Sequence, residues 1–124
     1  MSPDRQPLRV WNETRQTTLV ERGRVARSMW ARARGLLGTN SLPSGEGLLI
    51  ERCSSIHSFW MRYAFDAIFL DRQGRVIHLI HAMKPWRVSR HLFSARSVLE
   101  LPAGTIRETS TEVGDQLRWT EDGP

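Results

Sequence analysis

The chain has 124 residues, 40% of them hydrophobic and 25% charged, which suits one globular domain and argues against a disordered or membrane-embedded chain. The net charge is +5 and every basic residue except Lys84 is arginine; the arginines are dispersed and accompany no nucleic-acid motif, so they disfavour a nucleic-acid partner and fit the codon bias of a G+C-rich genome better. Cys53, the single cysteine, rules out an internal disulfide, and the lack of a basic-then-apolar leader or of about 18 consecutive apolar residues predicts a cytoplasmic protein without a membrane partner.

In chain order, Leu8 to Asn12 and Thr17 to Val25 read as the arms of a hairpin around Glu13 to Gln16. Residues 29–37 form the best helix candidate: Ser28 is placed to cap it, Met29, Ala33, Leu36 and Leu37 make one apolar stripe, and Gly38 suits its end. Asn40 to Gly47 is a loop leading into a strand at Leu48 to Ile50. Ala67 to Asp71 and Arg75 to Met83 form a second hairpin, turned by Arg72, Gln73 and Gly74. Lys84 to Ser94 lacks any period and reads as an extended surface loop, Ser97 to Leu101 as a strand stopped by Pro102 and Gly104, and Gln116 to Trp119 as a final strand. The expected architecture is α+β: a mostly antiparallel β-sheet or small barrel with one short helix packed on it. Residues 1–16 would be an N-terminal arm with the first strand, 17–119 one domain, and 120–124 a tail.

Chemistry is concentrated in CSSIHSFWMRYAFDAIFLD, residues 53–71, which gathers a thiol, an imidazole, a thioether, an arginine and two carboxylates among aromatics. Cys53, His57 and Met61 are four residues apart, and their S, N and S donors would suit a soft metal such as Cu(I). On a helix such residues stack about 6 Å apart, whereas on a strand they are separated by about 13 Å, so only a helix lets them share an ion. Short length and the missing cap favour a strand bent near Arg62 to Phe65, with Cys53 and Met61 as core packing. His57, beside Arg62 and Asp66 in sequence, is a candidate acid, base or ligand. Asp66, at a strand entrance, reads first as a turn-capping carboxylate and second as a site residue. His78 and His81, three apart on a strand, face opposite ways and cannot share an ion. No nucleophile elbow, P-loop, dinucleotide fingerprint or Cys-x-x-Cys pair occurs.

ARGLLG at 33–38, GEGLLIERC at 45–53, IHSFWMRYAFDAIFLD at 56–71, LELPAG at 99–104 and the pair Gly114-Asp115 together resemble the domain of unknown function 192 family over about residues 17–119. The resemblance implies a compact, predominantly β domain with a small helical part and no particular activity. Its characteristic positions correspond here to Gly35, His57, Met61, Asp66, Asp71, Glu100, Pro102, Gly104, Gly114 and Asp115. Relatives often carry proline where this chain has Ala64, which supports a bend there, and many are exported.

Three functional classes follow. The leading one is a non-enzymatic module for a small molecule or peptide, with His57, Trp60, Arg62, Asp66, Trp86 and Arg87 as candidate ligand-binding residues, because aromatic faces and guanidinium groups suit a partly polar organic ligand. The second is a His57-centred enzyme or soft-metal site drawing on Cys53, Met61, Asp66 or Glu100; the third is nucleic-acid binding. No cofactor is expected.

Overall fold

In the first hairpin, burial follows the pleat. Leu8, Val10 and Asn12 are buried while Arg9 and Trp11 face out, so β1 (Leu8–Asn12) has one covered face. It pairs with β2 (Thr17–Ala26) in an antiparallel ladder whose register shifts twice between Leu8 and Trp11. The chain is a computed structural model that describes residues 7–27, 41–59 and 61–121; the helix expected over 29–37 and the candidate Trp60 lie outside the described residues.

Long β2 serves two neighbours. Its first part pairs with β1, and Arg24 to Ala26 run parallel to β3 (Leu48–Glu51). Glycines allow the hand-over: a Cβ on Gly23 would meet the Gly47 carbonyl oxygen at 2.6 Å, and one on Gly47 would meet a Val20 methyl at 2.7 Å. Both distances are too short for a side chain, so the backbone approach at Gly23 and the packing of Val20 on Gly47 each require glycine.

The remaining strands are β4 (Phe65–Leu70), β5 (Val76–Met83), β6 (Ser97–Pro102) and β7 (Leu117–Glu121). They form one seven-stranded sheet in the order β5-β4-β6-β3-β2-β1-β7, antiparallel at every junction except β2 with β3. The three strands β3, β4 and β6 are covered on both faces, which is why LLI, FDAIFL and SVLEL read as almost unbroken apolar runs rather than alternations. One face packs Leu49, Ile68, Leu70, Leu99 and Leu101 against Leu8, Val10, Val20 and Leu117. The other packs Leu48, Ile50, Phe65, Phe69 and Val98 against Cys53, Ile56, Met61 and Met83.

The sheet is not closed, which corrects the barrel alternative. The edge strands β5 and β7 meet only at one corner, where Arg75 bridges Gln116 and Val76 N–H donates to the Asp115 carbonyl at 2.9 Å. Beyond it, β7 pairs with β1 from Asn12–Leu117 to Leu8–Glu121 and β5 with β4, and among the described residues no ladder joins the two edges. Two further corrections concern local structure. Among the described residues of 53–64 there is no strand, only an isolated bridge from His57 to Val88, and Thr105–Glu108 forms a short helix, α1, where no element was expected.

Candidate functional site

The chemistry-rich segment is built as a strap. Cys53 to Phe59 runs alongside the loop Lys84 to Arg96, joined by backbone bonds from Cys53 N to Arg96 O, Leu92 N to Ser54 O, Ser89 N to Ile56 O and Ser58 N to Arg87 O, all 2.8–3.0 Å. A regular ladder fails because hydroxyls replace backbone partners: Ile56 N–H donates to Ser89 Oγ at 2.9 Å, and Arg87 N–H to Ser58 Oγ at 2.8 Å. Ile56 and Cys53 point into the core beneath.

Ser58 is the pivot. It is fully buried, and its hydroxyl donates to Lys84 O at 2.5 Å while accepting from Arg87 N; its backbone carbonyl accepts from Trp86 N at 3.0 Å. These bonds hold the Lys84–Arg87 turn so tightly that Trp86 takes a left-handed φ of 64°, which costs a bulky residue about 1–3 kcal/mol. The consequence is a row of rings. His57 stacks on Phe59 with centroids 4.9 Å apart, and Phe59 lies 5.8 Å from Trp86 at a tilt of 32°. His57 Nδ1 also accepts the Phe59 N–H at 3.3 Å. Phe59 and Trp86 remain 37% and 53% exposed. Farther along the same loop, exposed Val88 precedes Phe93, 90% exposed and set edge-on to His91 at 4.5 Å, and His91 Nε2 contacts Ser54 Oγ at 2.6 Å.

The strap is also uniformly basic. Residues 52–65 and 72–99 contain no carboxylate, while Lys84, Arg87 and Arg90 project from the loop. Underneath, His78 lies edge-on to Phe69 at 5.4 Å; burial, and then the Arg90 charge, hold its pKa below the ordinary imidazole value.

Of the six candidate ligand residues, the structure joins His57 and Trp86, with Arg87 next in the turn and its guanidinium 3.5 Å from Pro85 O. Arg62 is exposed on the approach to β4. Asp66 is placed elsewhere, fully buried: Oδ1 accepts from Ala82 N at 2.8 Å, and Oδ2 from Gly104 N at 3.1 Å and Ile106 N at 2.9 Å. It thereby ties the left-handed kink of β5 at Ala82, φ 48°, to the start of α1, the capping role that the sequence favours. Of the soft-donor trio, Cys53 and Met61 are core residues; the Cys53 thiol donates to Ser55 O at 3.0 Å, and His57 is turned into the ring stack. Among the described residues, no three of His, Cys, Asp and Glu gather in a way that could hold a metal ion. His78 is half-buried and His81 exposed.

Phe59, Ser58, Val88 and Phe93 are absent from the candidates the sequence supplies. Phe59 could have been found by the stride of two from His57 along an extended segment, but nothing in sequence links Ser58 to Trp86 across 28 residues. Asp71 and Asp115 prove to be turn-builders like Asp66. Asp71 Oδ1 accepts from Gln73 N and Arg75 N, both 2.9 Å. Asp115 Oδ2 accepts from Asn12 Nδ2, Arg15 Nε and Glu112 N at 2.9–3.0 Å. Burial pushes the Asp115 carboxyl upward, but its bonds to Arg15, Asn12 and the Glu112 N–H outweigh this and hold it below its ordinary value.

An open mixed sheet carrying a basic, ring-studded strap defines a small β-rich α+β domain. The chain belongs to the domain of unknown function 192 family, DUF192, described as "Uncharacterized ACR", whose model matches residues 10–119. A UPF0127 protein of Thermococcus sibiricus is 33% identical over 87% of this chain and 72% of its own length. One of Pyrococcus furiosus is 41% identical over 53% of this chain, and the match spans 56% of that relative. Two crystal structures share the fold. A protein of unknown function from Novosphingobium aromaticivorans superposes with TM-score 0.77 at 22% identity, over 91% of this chain and 84% of that one. One from Sinorhizobium meliloti, named a "putative transcription regulator", gives TM-score 0.74 at 21% identity, over 90% and 91%. No described helix is long and apolar enough to cross a membrane.

Proposed function

We propose that this domain is a non-enzymatic binding module whose working surface is the strap, and that it takes a short acidic peptide carrying an apolar side chain. The supporting observation is the row His57–Phe59–Trp86, which stays open to solvent although holding Trp86 there costs backbone strain. Exposed aromatic faces in contact offer area for an apolar group without ordering new side chains. The carboxylate-free loop supplies the complementary charge through Lys84, Arg87 and Arg90.

Titration of 15N-labelled protein with a Glu-rich peptide bearing one Trp, with its Lys-rich counterpart and with oligo-dT tests this reading. The acidic peptide should shift the His57, Phe59, Trp86 and Val88 amides saturably, and Trp86→Gly should abolish the shifts. Equal binding of the Lys-rich peptide would refute the charge argument, and tighter oligo-dT binding with a steep salt slope would move the domain to the nucleic-acid class.

A further inference from the structure

A concavity apart from the strap lies at the opposite end of the β3–β6 ladder from Leu48. It is an open cleft of about 260 Å³ lined by Leu49, Glu51, Arg52, Arg96, Ser97 and Trp119. Glu51 and Ser97 are cross-strand partners, and the next backbone link, Cys53 N to Arg96 O at 3.0 Å, sets Arg52 and Arg96 side by side just past the ladder. Arg96 is anchored further by its N–H on Leu70 O at 2.7 Å, and Arg52 is held at a left-handed φ of 53°. Two guanidinium groups at one rim repel each other and ordinarily attract a carboxylate between them. The carboxylate in the lining, that of Glu51, is taken by Arg27 at 2.5 Å.

Among the described residues, neither the Arg52 nor the Arg96 guanidinium makes a hydrogen bond or ion pair. The Ser97 hydroxyl, in a residue only 5% exposed, likewise has no partner there. These three groups leave a set of donors without an acceptor facing one cleft, with Leu49 behind them. Trp119 completes the wall: half-buried, its ring packs on the core that contains Leu49 and Leu99.

We propose that this cleft is a binding site for a small aromatic anion, its carboxylate or phosphate group held by Arg52, Arg96 and Ser97 and its ring lying against Trp119. Guanidinium groups match both anions in geometry, and a ring stacked on indole gains contact that a bare anion cannot. The cleft volume suits a single ring with its acid group and is smaller than the usual range for drug-sized ligands.

The test is titration of 15N-labelled full chain with phenyl phosphate, benzoate, cyclohexanecarboxylate and inorganic phosphate. Phenyl phosphate or benzoate should bind saturably at or below about 1 mM, shifting the Arg52, Arg96 and Ser97 amides and the Trp119 indole, and whichever binds better identifies the acid group. Arg52→Gln and Arg96→Gln should each weaken binding about tenfold, as expected for a charge-assisted bond, while Arg107→Gln, on exposed α1, leaves it unchanged. Trp119→Leu should erase the preference for ring-bearing probes over inorganic phosphate. Because the arginines are exposed, their variants fold, and unaltered spectra away from the cleft verify it. Equal binding of inorganic phosphate and phenyl phosphate, or the absence of saturable shifts at the cleft, would overturn the proposal. So would tighter binding of oligo-dT that depends on both arginines and falls steeply with salt.

Discussion

Trp86 allows the strain argument to be measured directly. Replacing it with alanine or glycine removes the same ring. At 53% exposure, roughly 100 Å² of it is covered, so either change costs at most about 2–3 kcal/mol of burial. The two replacements differ in the backbone. At φ 64° alanine retains the clash of Cβ with its own carbonyl, worth about 1–2 kcal/mol, and glycine does not. Glycine loses more chain entropy on folding, about 0.4–1 kcal/mol. The balance leaves Trp86→Gly more stable than Trp86→Ala by about 0.5–1 kcal/mol, or about 2–4 °C in Tm, the reverse of the order at an ordinary position. Urea unfolding followed by far-UV circular dichroism compares the midpoints, with equal slopes confirming a shared two-state transition. If alanine proves the more stable replacement, Trp86 is not held in the left-handed region, and the inference from strain to a working surface fails with it.

Other expectations follow from the hydrogen bonding and from burial. Ser58→Ala leaves the partly buried Arg87 N–H and Lys84 O without their hydroxyl partner and should cost about 1–2 kcal/mol, with loss of near-UV ellipticity as the ring row loosens. Asp66→Asn sets an amide against three backbone N–H groups and should cost about 2–4 kcal/mol, with hydrogen-exchange protection falling first at Ala82, Gly104 and Ile106; unchanged protection there would contradict its tying role. Stability should also decline in two acid stages. His78, its folded pKa lowered, takes up a proton more readily when unfolded, so stability falls as pH drops below about its ordinary 6.5, and His78→Gln should remove that stage. Asp115, its folded pKa likewise lowered, contributes stability present above its ordinary 3.8 and lost as pH falls through the folded value; Asp115→Asn should flatten this second limb in a pH series of unfolding midpoints.

Local physics made much of the fold legible. Alternation and turn chemistry located β1, β2 and the β4–β5 hairpin to within two residues at each end, because the pleat imposes a period of two and Asp71 to Gly74 can close only a tight turn. That Asp66 accepts backbone N–H groups followed from a carboxylate at a strand entrance, but not that they belong to Ala82, Gly104 and Ile106. The resemblance in ordered motifs pointed to the family that the chain proves to belong to. Trp86 and Arg87 were named by residue type, an indole and a guanidinium, and His57 by its imidazole together with Arg62 and Asp66 nearby in sequence.

What no local rule contains is pairing across long separations. That the sheet stays open, that β2 passes from β1 to β3 over Gly23 and Gly47, and that Ser58 reaches Lys84 and Arg87 are all contacts between segments far apart in sequence. The strand expected from residue 53 became a strap because its partner is a loop that answers with hydroxyls instead of a regular ladder. Trp86 acquires its backbone strain, and Arg52 and Arg96 their shared cleft, only from those contacts. Residue type thus determined which groups were available for recognition, and tertiary structure decided which of them meet, because a side chain's partners are set by the path of the whole chain and not by its neighbours in sequence.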